Sequence, residues 1–129
     1  MQNKPTKKRR RGTAIVDTDR GILVVINKGN STFLLPGGSA TRNESRIEAA
    51  IRELREETGL IAHSVKYLFN YENWAEHKVF LVEADGEPKP RHEIASIAYY
   101  KAGAETNPRL SRTTFSIIKK YWALKNQSK

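Results

Sequence analysis

Three glutamates fall within five consecutive positions of the sequence, at residues 53, 56 and 57. On a helix this spacing places Glu53, Glu56 and Glu57 side by side, where like charges repel. Close to a helix C-terminus the macrodipole also disfavours negative charge. A hard divalent cation would relieve both effects, because Mg²⁺ takes oxygen ligands and shares itself with substrate phosphates. The three residues therefore indicate a metal site, and a solvated acidic face is the alternative that they leave open.

The helix that must position these carboxylates is marked at both ends. Ser45 and Glu48 form a capping-box pattern, and Gly59 is a suitable residue just beyond a helix C-terminus. Hydrophobic residues recur between them at helical spacing. The pattern predicts a helix over residues 45 to 58, packed against the core through the stripe Ile47, Ala50, Ile51 and Leu54.

Residues 38 to 60 resemble the Nudix box, G-x5-E-x7-R-E-U-x-E-E-x-G-U, where U is aliphatic. The match is specific, because nine specified positions are filled in register. Those positions are Gly38, Glu44, Arg52, Glu53, Leu54, Glu56, Glu57, Gly59 and Leu60. By this resemblance the sequence is identified as a member of the Nudix hydrolase family. The family fold is an αβα sandwich with a mixed β-sheet.

The resemblance also implies a reaction. Nudix hydrolases cleave a pyrophosphate bond in a nucleoside diphosphate linked to another moiety, with water and Mg²⁺ or Mn²⁺ as the cofactor. By resemblance, the catalytic and metal-binding residues are Glu53, Glu56 and Glu57, and the main-chain carbonyl of Gly38 is a further metal ligand. Such cations neutralise phosphate oxygens and lower the pKa of a bound water.

Two further roles follow from the same resemblance. Glu44 and Arg52 are expected to form the structural salt bridge that locks the loop to the helix. A carboxylate must also take the proton of the attacking water. The family leaves two candidates for this general base: Glu53 in the box, or a glutamate on a later loop, here Glu93 after "GEPKPRH".

Elsewhere the sequence predicts an α+β fold. Period-two patterns bounded by turn residues predict strands over residues 13–18, 21–27, 31–36, 64–73, 78–85 and 93–101, with a hairpin at residues 19 and 20. A C-terminal helix is predicted over residues 112 to 125. Its apolar face is expected to consist of Phe115, Ile118 and Trp122, with Ile117, Tyr121 and Leu124 beside them.

Length and composition limit the organisation. A chain of 129 residues is long enough for one domain, and residues 13 to 129 are expected to form it. Cysteine is absent, which excludes disulfides and thiolate metal sites and fits a cytoplasmic protein. No apolar run approaches the ~18 residues of a membrane span, so no membrane partner is expected. Whether the protein is a monomer or a homodimer stays open.

The net charge of +9 is concentrated at the N-terminus. Residues 1 to 12, "MQNKPTKKRRRG", hold six basic residues and no acid, which leaves 17 basic and 14 acidic residues elsewhere. The segment is interpreted as a disordered basic tail. It could hold RNA through phosphate contacts or direct a eukaryotic protein to the nucleus. A purely solubilising tail is the alternative.

The sequence gives weaker evidence for substrate-binding residues than for the residues of the box. An aromatic side chain could stack a base and a cation could reach a phosphate, although core or solvated positions explain such residues equally well. The candidates are Arg42, Tyr71, Trp74 and Lys78. The three histidines, His63, His77 and His92, lack ligand spacing and are expected at the surface.

Three functions are compatible with the sequence. The first is hydrolysis of a small nucleotide, such as a nucleoside triphosphate, and the second is pyrophosphohydrolysis of RNA 5′ ends assisted by the basic tail. The third is a non-enzymatic ligand sensor on the same fold. That third class usually has eroded box glutamates, whereas all of them are present here.

If the tail serves RNA, deleting residues 1 to 12 should weaken RNA binding and flatten its dependence on salt. The reason is that each phosphate contact formed by the tail releases counterions from the RNA, and the deletion removes those contacts. Hydrolysis of a free nucleotide should hardly change. Binding titrations at several salt concentrations test this, and equal RNA affinity at low salt with and without the tail would contradict it.

Overall fold

The computed structural model describes residues 8 to 127. Within them the strands are β1 (Arg9–Ile15), β2 (Asp17–Thr18), β3 (Gly21–Asn27), β4 (Gly37–Ser39), β5 (Ile61–Glu72), β6 (Ala75–Asp85) and β7 (Ile94–Tyr100). The helices are α1 (Arg46–Thr58) and α2 (Arg112–Gln127). Neither helix is long and apolar enough to cross a membrane in this part of the chain.

The strands form two sheets. The larger is mixed and has the order β4-β1-β6-β5. In it β1 runs parallel to β6, while β4 and β5 are antiparallel to their neighbours. The smaller sheet, in the order β2-β3-β7, is antiparallel. The predicted mixed sheet is thereby confirmed.

Hydrophobic residues pack on both faces of the larger sheet. Successive side chains of a strand point to opposite faces, so Ala14 joins a buried cluster with Ala50 and Leu54 of α1. Its neighbour Ile15 joins a second cluster with Ile117 of α2. The two helices therefore cover opposite faces of the sheet, which is the expected αβα sandwich.

The helix α1 lies unusually close to β1. A Cβ atom added to Gly12 would overlap the carbonyl oxygen of Arg46 and lie 2.8 Å from the backbone nitrogen of Ala50. The buried residues of α1 are correspondingly small near this contact, with Ala49 and Ala50 fully buried. The close approach fixes the position of α1, and thus of its acidic face, relative to the sheet.

Two strand predictions differ from the structure. Residues 31 to 36 do not form a strand, and only isolated bridges occur at Phe33 and Leu34. The strand β4 instead begins at Gly37, where a Cβ atom would overlap the carbonyl oxygen of Gly12. The expected 13–18 strand divides, because residues 9 to 15 enter the larger sheet and only Asp17–Thr18 pair with β3. The absence of side chains on the glycines decides which backbone can approach β1.

The predicted helices are present, but two apolar stripes need correction. Ile47 is 38% exposed, because it lies in the first turn beside surface residues rather than under the sheet. Ala50 and Leu54 are buried as expected. In α2 the buried stripe is Thr114, Ile117, Ile118 and Tyr121, whereas Phe115 and Leu124 are exposed and Trp122 is partly buried. The stripe is rotated toward the polar Thr114, which donates and accepts hydrogen bonds near the sheet.

Part of the predicted disordered tail is a β-strand instead. Residues 9 to 12 belong to β1 and pair with β6 along its first half. Residues 1 to 7 of the predicted tail lie outside the described residues. Deletion experiments on the tail should therefore stop at residue 7.

Substituting Gly12 by alanine should lower the free energy of unfolding by about 1 to 3 kcal/mol, because the added methyl group overpacks the contact with α1. Denaturant titration measures the change. Gly29→Asn is a matched control: Gly29 has φ of 83° with no atom within 4 Å of an added Cβ, and asparagine tolerates that backbone. Equal destabilisation by both substitutions would contradict the proposed close packing.

Candidate active site

Arg52 connects the loop before α1 to the helix itself. Its Nε and Nη2 donate to the two carboxylate oxygens of Glu44 at 2.7 and 2.9 Å. Nη2 also donates to the main-chain carbonyl of Ser39 at 3.3 Å. The ion pair expected between Glu44 and Arg52 is therefore present in the structure, in the two-pronged geometry that makes arginine–carboxylate pairs strong.

The same contacts keep Glu44 ionised. Hydrogen bonds from Arg52, and then from the backbone of Thr41, lower the pKa of Glu44 to about 2. In return, its hydrogen bonds with Glu44 raise the pKa of Arg52 above its ordinary value. Both partners are thus charged across the physiological range.

The guanidinium of Arg52 also contacts two of the three clustered glutamates. Nη1 donates to Glu53 Oε1 at 3.0 Å and to Glu56 Oε1 at 3.1 Å. One arginine consequently donates hydrogen bonds to three carboxylates, and it also contacts the loop through the carbonyl of Ser39. This offsets part of the repulsion that the sequence pattern predicts.

Glu57 is stabilised differently. One carboxylate oxygen accepts a hydrogen bond from the backbone N–H of Gly37 at 3.1 Å. Burial nevertheless raises the pKa of Glu57 to about 8, with the charges of Glu53 and Glu56 acting in the same direction. Burial and a hydrogen bond with Glu56 also raise the pKa of Glu53. Without a cation, the cluster favours protonated carboxyl groups.

Gly38 leaves room for this cluster. A Cβ atom at Gly38 would overlap the carboxylate of Glu53. The glycine before the helix is therefore required by close packing, because its φ is not in the left-handed region. Any side chain at this position would displace Glu53.

The chemistry of these donors fits a hard divalent cation. Carboxylate oxygens, and the nearby carbonyl of Gly38, are the ligand types that Mg²⁺ and Mn²⁺ accept. Within residues 8 to 127, however, no group of three or more histidine or acidic side chains is arranged so that it could hold an ion. Glu53 and Glu56 converge on Arg52, while Glu57 contacts Gly37. Ligation by all three would need these side chains to rotate.

Glu93 and Arg42 do not join this cluster. Glu93 is exposed in the turn before β7, and its backbone carbonyl accepts a hydrogen bond from the backbone of Lys28. Within residues 8 to 127 no hydrogen bond links its carboxylate to the box glutamates. Arg42 is exposed in the loop before α1. The role of Glu93 as general base stays a prediction.

The other candidates for substrate contacts are divided between two faces of the sheet. Trp74 is 81% exposed and lines a cavity on the α2 side. Tyr71 lies close by, edge-on to His77 with 6.2 Å between ring centres. Lys78 lies above the ring of Tyr67 and lines a groove near the start of α1. Lys78 and Trp74 therefore cannot act in one pocket.

The histidines were expected at the surface, and for His77 this is wrong. His77 is only 8% exposed, and its Nδ1 lies 3.1 Å from Thr13 Oγ1. Burial, followed by the charge of Arg11, lowers the pKa of His77 to about 4. His63 is exposed and lies 3.0 Å from Asp85, and His92 is exposed in a turn. The alternation of polar and apolar residues along β6 could have indicated that His77 points inward.

Arg11 was assigned to the tail, whereas it is a partly buried residue of β1. The charges of Glu57 and Glu53 act on it, and it lines the same cavity as Trp74. The sequence held a usable signal, because Arg9, Arg11 and Thr13 alternate at strand spacing and lead into a hydrophobic run.

The fold and the site together define a class of protein, namely an αβα sandwich with a carboxylate cluster on the helix that follows a glycine loop. A family model described as NUDIX domain matches residues 7 to 118. The chain belongs to this family and is a Nudix hydrolase.

Known relatives agree with this assignment. A crystal structure of a Nudix hydrolase family member from Chromobacterium violaceum superposes with a TM-score of 0.85 at 41% identity, covering 95% of this chain and 81% of the other. The ADP-ribose pyrophosphatase of Methanocaldococcus jannaschii is 31% identical over 87% of this chain and 72% of its own length. The RNA pyrophosphohydrolase of Histophilus somni strain 2336 is also 31% identical, over 53% of this chain and 35% of its own length.

The raised pKa of Glu57 predicts how stability depends on pH in the metal-free protein. Between about 4.5 and about 8 the folded chain binds more protons at Glu57 than the unfolded chain. Its stabilising contribution is therefore complete at low pH and is lost as the pH rises through about 8. The free energy of unfolding should fall by a few kcal/mol over this range.

Thermal midpoints measured in chelator across this pH range test the effect. Glu57→Gln should flatten the profile and raise the midpoint at high pH. Glu105→Gln removes a charge from an exposed loop residue and should leave the profile as in the unmodified protein. Identical slopes for all three proteins would show that Glu57 is not responsible.

Proposed function

We propose that this chain hydrolyses a pyrophosphate bond in a nucleoside diphosphate-linked compound, with a nucleoside triphosphate or related nucleotide as the substrate. The observation that carries the proposal is the cluster of Glu53, Glu56 and Glu57, whose charges are only partly offset. A cluster with raised pKa values at Glu53 and Glu57 is unfavourable by itself. Perturbed carboxylates of this kind are typical of functional sites.

The residues divide the chemical work. Glu53, Glu56 and Glu57 would hold a divalent cation through carboxylate oxygens, with the Gly38 carbonyl as a further donor. When bound, Mg²⁺ or Mn²⁺ supplies neutralisation of phosphate charge and a water of lowered pKa. The carboxylate of Glu53 takes a proton from the attacking water in this proposal, and Glu93 is the alternative base.

Arg52 has a positioning role in this scheme. It fixes the orientation of Glu53 and Glu56 through Nη1 while its other nitrogens hold Glu44 and the loop carbonyl of Ser39. These contacts thus hold the loop that carries Gly37 and the helix that carries the glutamates in one fixed arrangement. Preorganised ligands of this kind reduce the reorganisation needed in the transition state.

A free nucleotide is favoured as the substrate over RNA by the part of the chain that is described. The basic segment expected to hold RNA includes residues 9 to 12, and these belong to β1 and pair within the sheet. They are therefore not part of a free tail that could follow an RNA chain. The likeness to an RNA pyrophosphohydrolase extends over about half of this chain, whereas the likeness to an ADP-ribose pyrophosphatase extends over most of it. Both relatives' names specify hydrolysis at a pyrophosphate bond.

Replacing Glu56 or Glu57 by glutamine should lower turnover at saturating Mg²⁺ together with metal affinity, because a hard cation needs the carboxylate charge. Glu53→Gln should lower turnover by roughly 10²- to 10⁴-fold if Glu53 is the base. The thermal midpoints in chelator should stay equal or rise, since the substitutions relieve repulsion. Phosphate or pyrophosphate release from a nucleotide panel, with and without Mg²⁺, measures turnover.

Glu105→Gln is the matched control for these variants, because it removes one carboxylate far along the chain and should retain full turnover. Glu93→Gln separates the two candidate bases. A strong loss in Glu93→Gln with little loss in Glu53→Gln would transfer the role of base to Glu93. Full turnover of all three box variants would overturn the proposed site.

A further inference from the structure

A cavity of about 240 Å³ lies on the α2 side of the larger sheet. Arg9, Arg11 and Thr13 line it from alternate positions of β1, which place their side chains on one face. Leu35 and Ile117 contribute an apolar wall. At ~30 Å³ per water molecule the space equals roughly eight waters, which is room enough for a nucleobase.

Several polar side chains around this cavity already have hydrogen-bond partners. The Asn73 amide is engaged at both ends, since Oδ1 accepts from the Ala75 N–H at 2.8 Å and Nδ2 donates to Thr113 Oγ1 at 3.0 Å. Thr114 Oγ1 accepts from the Leu35 N–H at 3.3 Å. Hydroxyl groups that already accept a bond keep their hydrogen for donation.

The charges around the cavity also favour an acceptor. It is lined by two guanidinium groups, those of Arg9 and Arg11, and none of its described lining residues is acidic. The Nε atom of Arg11 is buried and has no hydrogen-bond partner among residues 8 to 127. A buried donor without a partner is unfavourable, so a ligand that offers an acceptor there would gain free energy.

The aromatic residues of the cavity add no charge to it. His77 has its pKa lowered to about 4 and is therefore neutral at pH 7, with Nδ1 facing the hydroxyl of Thr13. Trp74 presents a largely exposed ring at the cavity edge, and its indole nitrogen can only donate. A planar base could stack on that ring.

The cavity adjoins the carboxylate cluster. Leu35 lines it, and two residues later the N–H of Gly37 donates to Glu57. Arg11 lines it as well, pairs with Ser39 across β1 and β4, and lies within the electrostatic influence of Glu57. A substrate whose diphosphate lies at the glutamates can therefore extend its base into the cavity.

We propose that this cavity selects nucleotides by their base, and that Arg11 makes it prefer bases with a ring carbonyl over bases with an amino group at the same position. The inference rests on the proposed function, because it assumes that the diphosphate lies at the box glutamates. A guanidinium N–H donates well to a carbonyl oxygen, and on a purine it can also reach the N7 acceptor of the same edge. An amino group in place of the carbonyl is itself a donor and would face the guanidinium donor to donor.

Two matched substrate pairs isolate the carbonyl. ITP and ATP differ at the 6-position, and UTP and CTP differ at the 4-position, with identical triphosphates. The oxo member of each pair should have a kcat/KM about tenfold higher or more. Arg11→Met should lower kcat/KM for ITP and UTP by about tenfold and change ATP and CTP by less than about threefold.

Arg10→Met is the matched control, because Arg10 is the residue before Arg11 in β1 and points to the opposite face. It should retain the oxo preference. If Arg11→Met fails to fold by its thermal midpoint, Arg11→Lys keeps the charge without the planar fork and should also reduce the preference. Equal kcat/KM within both pairs, or an equal loss on all four nucleotides in the Arg11 variants, would overturn the proposal.

Binding without turnover separates this inference from the proposed function. Calorimetry in chelator should show IMP binding about tenfold more tightly than AMP, and Arg11→Met should remove the difference. That result would support the pocket even if every nucleotide resisted hydrolysis. Equal affinities would overturn the pocket while leaving hydrolysis untouched. Competition by inorganic phosphate is the last comparison. If inorganic phosphate displaces IMP from the unmodified protein and not from Arg11→Met, the cavity holds a phosphate instead of a base, and the proposal is overturned.

Discussion

The guanidinium of Arg52 is the interaction on which the site depends. It makes hydrogen bonds to the side chains of Glu44, Glu53 and Glu56 and to the backbone of Ser39. A single planar group with five donors can make all of these contacts, which a lysine ammonium could not do with the same geometry. The loop, the helix and two of the three clustered carboxylates are thereby held in one arrangement.

The arrangement places an unfavourable carboxylate, Glu57, close to the favourable ion pair of Glu44 with Arg52. Glu44 has its pKa lowered by Arg52, whereas burial raises the pKa of Glu57 only one helix turn beyond the arginine. Ordinary stability would favour replacing such a buried carboxylate, because an uncompensated charge in this position is costly. A divalent cation, the cofactor of the family, would offset this charge when bound.

The close packing of α1 on β1 relates this electrostatic site to the rest of the fold. Glycine at position 12 lets the helix approach the sheet, and glycine at position 38 leaves space for the carboxylate of Glu53. The same strand then presents Arg11 toward the opposite face, where the cavity lies. One strand thus has the acidic helix on one face and the proposed base pocket on the other, and the two meet at the edge strand β4, where the N–H of Gly37 donates to Glu57.

The sequence by itself determined the family and the ends of α1, since these depend on motif positions of fixed spacing and on local capping. The pairing of Glu44 with Arg52 followed from the family resemblance that those motif positions carry. The tertiary structure alone decided which basic residues are exposed, because Arg11 lies in a strand whose pairing with β6 joins residues far apart in the chain. It also decided that Ile47 is exposed and His77 is buried, since burial depends on which surface covers a residue rather than on its hydrophobicity. The cavity was invisible to sequence reasoning for the same reason: its walls come from β1, β6, the segment before β4 and α2, which only folding brings together.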